Sequence, residues 1–587
     1  MADPPTPADE ALLDRFQRAA FDYFLQQSNP RNGLVPDTSR AGSPASIAVV
    51  GFALSCYPVA VERGWMSRAD AAARAAATLR FFRSSPQGAQ PDATGYKGFY
   101  YHFLDMATGA RAWQSELSLI DTTLLLAGTL VAGTYFSAGD AVEGEIRDHA
   151  DAIYRRVDWQ WARGGAMTAR QGWKPESGFL HYGWDGYDEA AILYVLGLAS
   201  PTHPLPAGSY IRWTETYQWE NIYDREFLYA GPLFIHQFSH AWIDFAGIRD
   251  RFMREKGSDY FENTRRAILV QREYARRNPH GFTGYGRDCW GITANEGPVP
   301  ATLKVDGRAY QLLGYAARGA PYGPDDGTIG PCATLASLPF APGLVLSAVH
   351  HFCARYPDMI QGSRLPSGFN PTVPGGSPSG WVSTADFGLD QGIVVLMTEN
   401  YRSQLVWNLM RQCPYIATGL RRAGFARGQK RRQSPKPNPS RNRVPNPNLK
   451  PRPRRSLRLS QSLARSRQRS LTPKPRPSLS PSQRAEAHAK PKPQAASRKP
   501  ISASRRCWTD RSVTSSSPAS SKTRRMPGVS SLQPSLRLRR PACRRRRLTP
   551  NPTPRHSRPR GQRGCRDRVE HPCERISAHP SPYGRCR

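Results

Sequence analysis

The segment Leu117–Phe136, LSLIDTTLLLAGTLVAGTYF, decides how this 587-residue chain is read. It is the most apolar stretch of the sequence, yet it carries Asp121 together with several Thr and Gly. That mixture fits a helix buried inside the protein better than a membrane span. Leu124–Val131 is apolar around its whole circumference, as is Ala190–Leu198, so both are expected to be covered on every side. Other segments are one-sided: within residues 9–26, Leu12, Phe16, Ala20 and Phe24 recur four apart. Helices buried all round, beside helices with one apolar face, suit two concentric layers. The expected fold is therefore all-α, an (α/α) toroid or barrel of about six hairpins. A superhelical repeat array is the competing architecture, but no motif recurs at a fixed period.

Outward from this segment the chain reads as helix after helix. Ser67 precedes Asp70 and an Ala-rich run to Phe82, a helix start with its cap. Glu189–Ala199, Phe227–Phe245, Asp259–Arg277, Leu344–Tyr356, Gln391–Glu399 and Tyr401–Gly419 continue the series. Alternating strand patterns are scarce. Long loops rich in Gly, Pro, Trp and Tyr lie between the helices, at residues 83–114, 158–187, 201–226, 278–330 and 360–390. Loops of that length are uncommon unless they carry function.

Charge divides the chain in two. The net charge is +36, but residues 431–587 alone hold 42 Lys and Arg against 5 Asp and Glu, which leaves the preceding part near neutral. Of the aromatic residues, that tail holds only Trp508 and Tyr583. Without large apolar side chains it cannot offset the entropy of ordering its backbone, about 1–2 kcal/mol per residue. The expected organisation is a flexible N-terminus over 1–9, a catalytic domain over 10–426 and a disordered Arg/Pro/Ser-rich tail over 427–587. Tracts such as Arg544–Arg547 could bind nucleic acid or an anionic membrane electrostatically, but no aromatic ladder or folded nucleic-acid motif accompanies them. A shifted reading frame in GC-rich DNA is another origin for such a tail. Of the ten cysteines, the five before the tail, Cys56, Cys289, Cys332, Cys353 and Cys413, are widely spaced and odd in number, so they are expected to be mostly buried small apolar groups and not a complete disulfide set. The start, Met-Ala-Asp-Pro-Pro-Thr-Pro, lacks both a basic region and an apolar core. The expectation is no signal peptide and a cytoplasmic location, or a periplasmic or secreted one if the natural start lies upstream.

Three loop regions concentrate carboxylates beside aromatics. Trp113, Glu116 and Asp121 lie close together; His181, Tyr182, Trp184, Asp185, Tyr187, Asp188 and Glu189 form a denser group before an apolar helix; Trp381, Asp386, Asp390, Glu399, Tyr401 and Arg402 form a third. Carbohydrate sites need this pairing. Aromatic faces cover the C–H faces of sugars, carboxylates grip hydroxyls, and glycosidic cleavage takes one protonated carboxyl and a second that activates water or attacks directly. Each feature also has an ordinary structural explanation. An acid at a helix start, such as Asp188 or Glu189, commonly serves as a cap or dipole partner, and loop tryptophans commonly plug a domain. Asp121 is less easily dismissed, because an acid in an apolar helix must be paired, hydrogen-bonded or functional.

The runs Phe99-Tyr-Tyr-His-Phe-Leu-Asp105, Glu116-Leu-Ser-Leu-Ile-Asp121, Tyr187-Asp-Glu189-Ala-Ala-Ile-Leu-Tyr194, Gln237-Phe-Ser-His-Ala-Trp-Ile-Asp-Phe245, Trp290-Gly-Ile-Thr-Ala, Asp326-Gly-Thr-Ile and Gly388-Leu-Asp390-Gln-Gly, the last followed by Thr398-Glu-Asn-Tyr-Arg402, stand in a familiar order. Over residues 10–425 the chain resembles the bacterial glucoamylase-like domain family, whose relatives include β-1,2-glucan-degrading glycoside hydrolases. The resemblance implies an (α/α)6 barrel and an inverting, endo-acting hydrolase of β-linked glucan that uses no metal or organic cofactor. It implies Glu189 as general acid and Asp390 as base, with Asp121 and Glu116 as substitutes for the base. Trp113, Trp184, Tyr187, Trp242, Trp290, Trp381 and Tyr401 are its candidate sugar contacts, and Arg111 and Arg402 its candidate hydroxyl ligands. A transglycosylase, a glycan-binding protein without catalysis and, through the tail, a nucleic-acid-binding protein remain as alternatives.

Overall fold

Glycines decide where two helices cross in this chain. Ile47–Glu62 and Leu119–Tyr135 pack side by side. A Cβ added to Gly128 would collide with the carbonyl of Gly51, and one on Gly51 with that of Leu124. Only residues without a side chain permit so close a backbone approach. The computed structural model describes residues 5–360 and 362–427. The basic tail beyond 427, and with it the nucleic-acid reading, lies outside the described residues.

Capping sets most helix starts. Helix α1 (Pro7–Gln27) begins with Thr6 and Asp9 bonded reciprocally in a capping box and Pro7 in its first turn, so ordered structure reaches further toward the N-terminus than residue 10. Helix α2 (Ile47–Glu62) is buried from Ile47 to Ala60. Ser67 caps α3 (Arg68–Ser84), Ser118 caps α4 (Leu119–Tyr135) and Asp140 caps α5 (Ala141–Arg155). Then come α6 (Ala191–Ala199), buried throughout, and α7 (Ala207–Thr214). The helix expected over 227–245 is instead a strand, Arg225–Leu228, followed by α8 (Leu233–Gln237) and a 3-10 turn, Phe238–Ala241. Gly231-Pro232 explains the break, since proline cannot continue a helix entered from its N-terminal side. Next are α9 (Arg251–Glu255), α10 (Tyr260–Arg277, capped by Asp259), α11 (Pro331–Ala336) and α12 (Pro342–Arg355). The last three are α13 (Gly388–Arg402), α14 (Leu405–Gln412) and α15 (Pro414–Arg422). The helix expected over 401–419 is split because Gln404 takes a left-handed backbone, φ 60°, and Pro414 restarts the helix.

The domain is helix-rich. Helix α2 packs on α4 and α13, α4 on α6, α11 on α13 and α8, while α1, α3, α5, α10, α12 and α15 pack against these buried helices. Short antiparallel strands join them, more of them than the sequence patterning suggests. The largest sheet orders Gly95–Tyr96, Phe99–Tyr101, Leu117–Ser118, Gly172–Lys174 and Gly178–Phe179. Its third strand runs directly into α4, which places Glu116 and Asp121 at the edge of a sheet and the start of a helix. At the far end of the domain Ala426–Arg427 pairs with Ile248–Arg249. The five cysteines are free, and all but the half-buried Cys353 are buried.

Candidate active site

The carboxylates gather where loops meet the N-termini of buried helices. Ser118 Oγ accepts from the Asp121 amide at 3.2 Å and donates to the Asp121 carboxylate. At the bend between the strands Phe99–Tyr101 and Phe103–Leu104 the His102 ring bridges two acids. Its Nδ1 lies 2.9 Å from Glu116 Oε1 and its Nε2 3.6 Å from Asp121 Oδ2. Burial alone would depress this imidazole, but Asp121, Glu116 and Asp37 together push it up to about 9. His102 is therefore an imidazolium at neutral pH. Burial would raise Glu116 too, yet the hydrogen bond and charge of His102 hold it below the usual carboxylate range. The His102 ring stacks on Phe103 with centroids 4.0 Å apart, and Phe103 leans on Trp113, which is 70% exposed.

Asp37 faces the same group from the loop after α1. Its amide donates to the Pro44 carbonyl and its own carbonyl accepts from Gly388 at 2.9 Å, which ties this loop to the start of α13. Burial pushes its carboxyl up to about 6, with His102 opposing and Asp121 reinforcing. Asp390, in the first turn of α13, is pushed up to about 7 by burial, against the Ser367 hydroxyl and with help from Asp37, Asp386 and Glu296. Glu189 stands just before α6, where its carbonyl accepts from Ser239 Oγ at 2.7 Å. Burial and the nearby charge of Asp121 hold its carboxyl up at about 7, against its own backbone amide. The adjacent Asp188 accepts from Trp213 Nε1 at 3.1 Å and from the Ala190 amide at 3.0 Å, and burial raises it as well. Asp188 is thus the structural acid of the pair and Glu189 the one left without a side-chain partner.

The structure brings Glu116, Asp121, Glu189 and Asp390 into one electrostatic cluster, with Trp113 at its exposed edge. Trp184 and Tyr187 are half-buried near Glu189, the Tyr187 hydroxyl lying 3.2 Å from His236 Nδ1, and Trp381 is half-buried on a strand paired with Phe369–Asn370. Five candidates lie elsewhere. Arg111 has a side chain only 1% exposed, ion-paired with Glu176 at 2.6 Å and bonded to the Gln114 carbonyl, so it pins a turn. Trp242 is fully buried against Phe52 with its Nε1 on Ser55 Oγ, and Trp290 is fully buried as well, so both are core. Tyr401 and Arg402 end α13, twelve residues or about 18 Å along the helix from Asp390. Arg402 is held there by Glu10 at 2.8 Å and by Gln17.

His102 and Asp37 were not singled out as site residues in the sequence. His102 stands inside the run 99–105, but its two acidic partners come from another strand and a helix. Asp37 has no local signal at all. Glu296 pairs with Arg40 and accepts from Ser383 Oγ at 2.6 Å, and Asp386 pairs with Arg364 at the wall of a cavity of about 220 Å³. Asp326 is structural: it forms a fully buried bidentate pair with Arg318. Among the described residues no group of His, Cys, Asp and Glu is arranged to hold a metal ion. No described helix is long and apolar enough to cross a membrane.

The chain is similar to known proteins in sequence and in fold. The Glycoamylase family model, described as "Putative glucoamylase", matches residues 181–414. An exo β-1,2-glucooligosaccharide sophorohydrolase (non-reducing end) from Parabacteroides distasonis is 26% identical over 449 residues, which span 70% of this chain and 58% of that protein. The chain thus covers somewhat over half the length of this curated relative. The crystal structure of a Bacteroides uniformis protein carrying the same description as the family is 28% identical with a TM-score of 0.63, covering 72% of this chain and 99% of that one. An endo-β-1,2-glucanase from Chitinophaga pinensis, solved with sophorotriose and glucose, is 26% identical with a TM-score of 0.61 and covers 72% and 99%.

Proposed function

We propose that this glucoamylase-like chain is a glycoside hydrolase that cleaves β-1,2-glucan in an endo-acting, inverting reaction. The observation that carries the reading is a pair of carboxyls, Glu189 just before α6 and Asp390 in the first turn of α13, each raised to near neutrality by burial, with Asp121 adding its charge at Glu189 and Asp37, Asp386 and Glu296 theirs at Asp390. Helix pairings support the accompanying architecture. The series α2, α4, α6, α8, α11 and α13 forms an inner ring and their one-sided partners an outer ring, an (α/α)6 toroid with the acids at one mouth. The α6-to-α8 junction is bridged by Ser239, which takes the Ile192 amide and gives to the Glu189 carbonyl.

In this reading Glu189 enters the reaction protonated and donates its proton to the glycosidic oxygen as the bond to the anomeric carbon breaks. Asp390, ionised, removes a proton from a water that attacks that carbon from the opposite face, which inverts the configuration. Asp121, which accepts from Ser118 Oγ and faces His102 Nε2, favours the protonated state of Glu189 and the oxocarbenium-like transition state. A second assignment gives Asp121 the role of base, supported by its position between Ser118 and His102 at the start of α4. Trp113 and Trp381 serve as sugar platforms.

Reducing-sugar release from a panel of β-linked glucans tests the proposal. Cleavage of the 1,2-linked polymer and a loss of about 10³-fold or more in Glu189→Gln are expected, the scale of a missing general acid. Full activity in that variant removes Glu189 from its role, and inertness on every glucan sinks the hydrolase. Products longer than the substrate would indicate a transglycosylase, and binding without turnover a lectin-like protein. Asp390→Asn and Asp121→Asn, each assayed with added azide, separate the two candidates for the base, because the small anion restores cleavage only where the base is missing.

A further inference from the structure

We propose that Tyr315 is a substrate-positioning residue whose ring seats a glucosyl unit beside Asp390, an inference that rests on the β-glucan reading above. Tyr315 lies between the strand Arg308–Leu312 and the strand Ala316–Ala317. It is 59% exposed, yet it is not loose: its ring stacks on Phe387 with centroids 6.0 Å apart and planes at 23°. Phe387 immediately precedes α13 and stands three residues before Asp390. The guanidinium of Arg40 lies 5.7 Å from the centre of the same Phe387 ring, and Arg40 is in turn ion-paired with Glu296. The support under Tyr315 is thus braced from two further segments.

The other end of the ring carries the argument further. Its stacking partner Phe387 leads into the first turn of α13, which carries Asp390. The pKa of the phenol is raised by the surrounding protein first and then by the charges of Asp390, Asp37 and Asp121, so its hydroxyl end lies toward the acidic cluster. It makes no hydrogen bond to any described residue. A phenol among carboxylates would ordinarily donate to one of them, so its O–H is left for a group that arrives from outside. A large apolar face held open on one side and anchored on the other is costly in water unless something covers it. A pyranose supplies both needs, a C–H face for the ring and hydroxyl oxygens that accept from the phenol. A purely structural tyrosine would bury its ring or pair its hydroxyl, and Tyr315 does neither.

The experiment compares the full chain with Tyr315→Ala and Tyr315→Phe on β-1,2-gluco-oligosaccharides of defined length, with kcat and KM read separately. Calorimetric titration with the same oligosaccharides in the Glu189→Gln background isolates binding from turnover. Tyr315→Ala is expected to raise KM and Kd about 10-fold or more, as the loss of both an aromatic face and a donor implies. Tyr315→Phe should raise them about 2–10-fold, the value of one hydrogen bond. Unfolding temperatures should match the wild type, because the ring is exposed. Unchanged KM and Kd in Tyr315→Ala overturn the inference while leaving the hydrolase intact. A wild type that neither binds nor cleaves the oligosaccharides overturns both. If it binds without cleaving, the hydrolase fails and the calorimetric comparison alone decides the role of Tyr315.

Discussion

Glu189 and Asp390 keep their protons to about pH 7 in the folded chain, whereas an unfolded glutamate or aspartate loses its proton near 4. The native state therefore binds more protons between those values, and stability falls as pH rises through this window. Glu189→Gln is expected to be more stable than the wild type at pH 8 by about 1–3 kcal/mol, with the difference closing by pH 4. Equal unfolding temperatures at pH 8 would contradict the raised carboxyl. His102 has the same slope in a higher window: its folded pKa also lies above the unfolded value, here because the charged form is favoured, so its contribution is complete below pH 6.5 and lost as pH rises through about 9. His102→Gln should cost about 1–3 kcal/mol at pH 6 and clearly less at pH 10, as chemical denaturation at the two pH values would show. The proposed mechanism needs Glu189 protonated and Asp390 ionised, and with both near 7 its kcat/KM profile should be a narrow bell around neutrality; a broad plateau would reassign one of them. Asp121 was legible in the sequence because an acid in an apolar run is anomalous. Asp37, His102 and Tyr315 were not, since loop residues carry no periodicity and their partners come from distant segments. Trp242 and Trp290 were misjudged because the size of a tryptophan does not tell which side of a helix it fills.

Helices announced by caps, such as α3 after Ser67 and α10 after Asp259, could be read to within a few residues. Helix α2 could not, since it is apolar on every face and has no side-chain hydrogen bond at its cap. The region 227–245 failed for the converse reason, because its composition is helical but Gly231-Pro232 stops propagation. Two predictions belong at this scale. Ser118→Ala removes both the α4 cap and a hydrogen bond to Asp121, so it should cost about 1–2 kcal/mol of stability and lower kcat together. A loss of stability without a change in kcat would separate the cap from the chemistry. Gly128→Ala inserts a methyl against the Gly51 carbonyl and, although alanine is the better helix former, should destabilise by about 3 kcal/mol or more. A neutral result would mean that α2 and α4 can part.

At the scale of the molecule, Phe425 packs against Tyr210, Phe245 and Tyr260, and Ala426–Arg427 completes a strand pair with Ile248–Arg249. A chain ending after Arg427 should keep the unfolding temperature and glucan activity of the full chain, whereas one ending after Arg422 should lose several degrees. Loss of activity in the longer truncation would give the basic segment a part in the reaction. The broad division between an aromatic-rich domain and a basic remainder was legible from composition alone, since charge and ring content change together. The closeness with which the helices pack was not, because it depends on contacts such as Gly51 on Gly128. That contact also limits how the protein can adapt. With two backbones touching, α2 and α4 cannot draw closer around a substrate, and adjustment is expected in the segments 37–44, 105–116 and 294–317, which carry Asp37, Trp113 and Tyr315. On oligosaccharide binding, amide hydrogen exchange should slow in those segments and stay unchanged across the crossing, which would make the helices an anvil and the loops the only moving jaw.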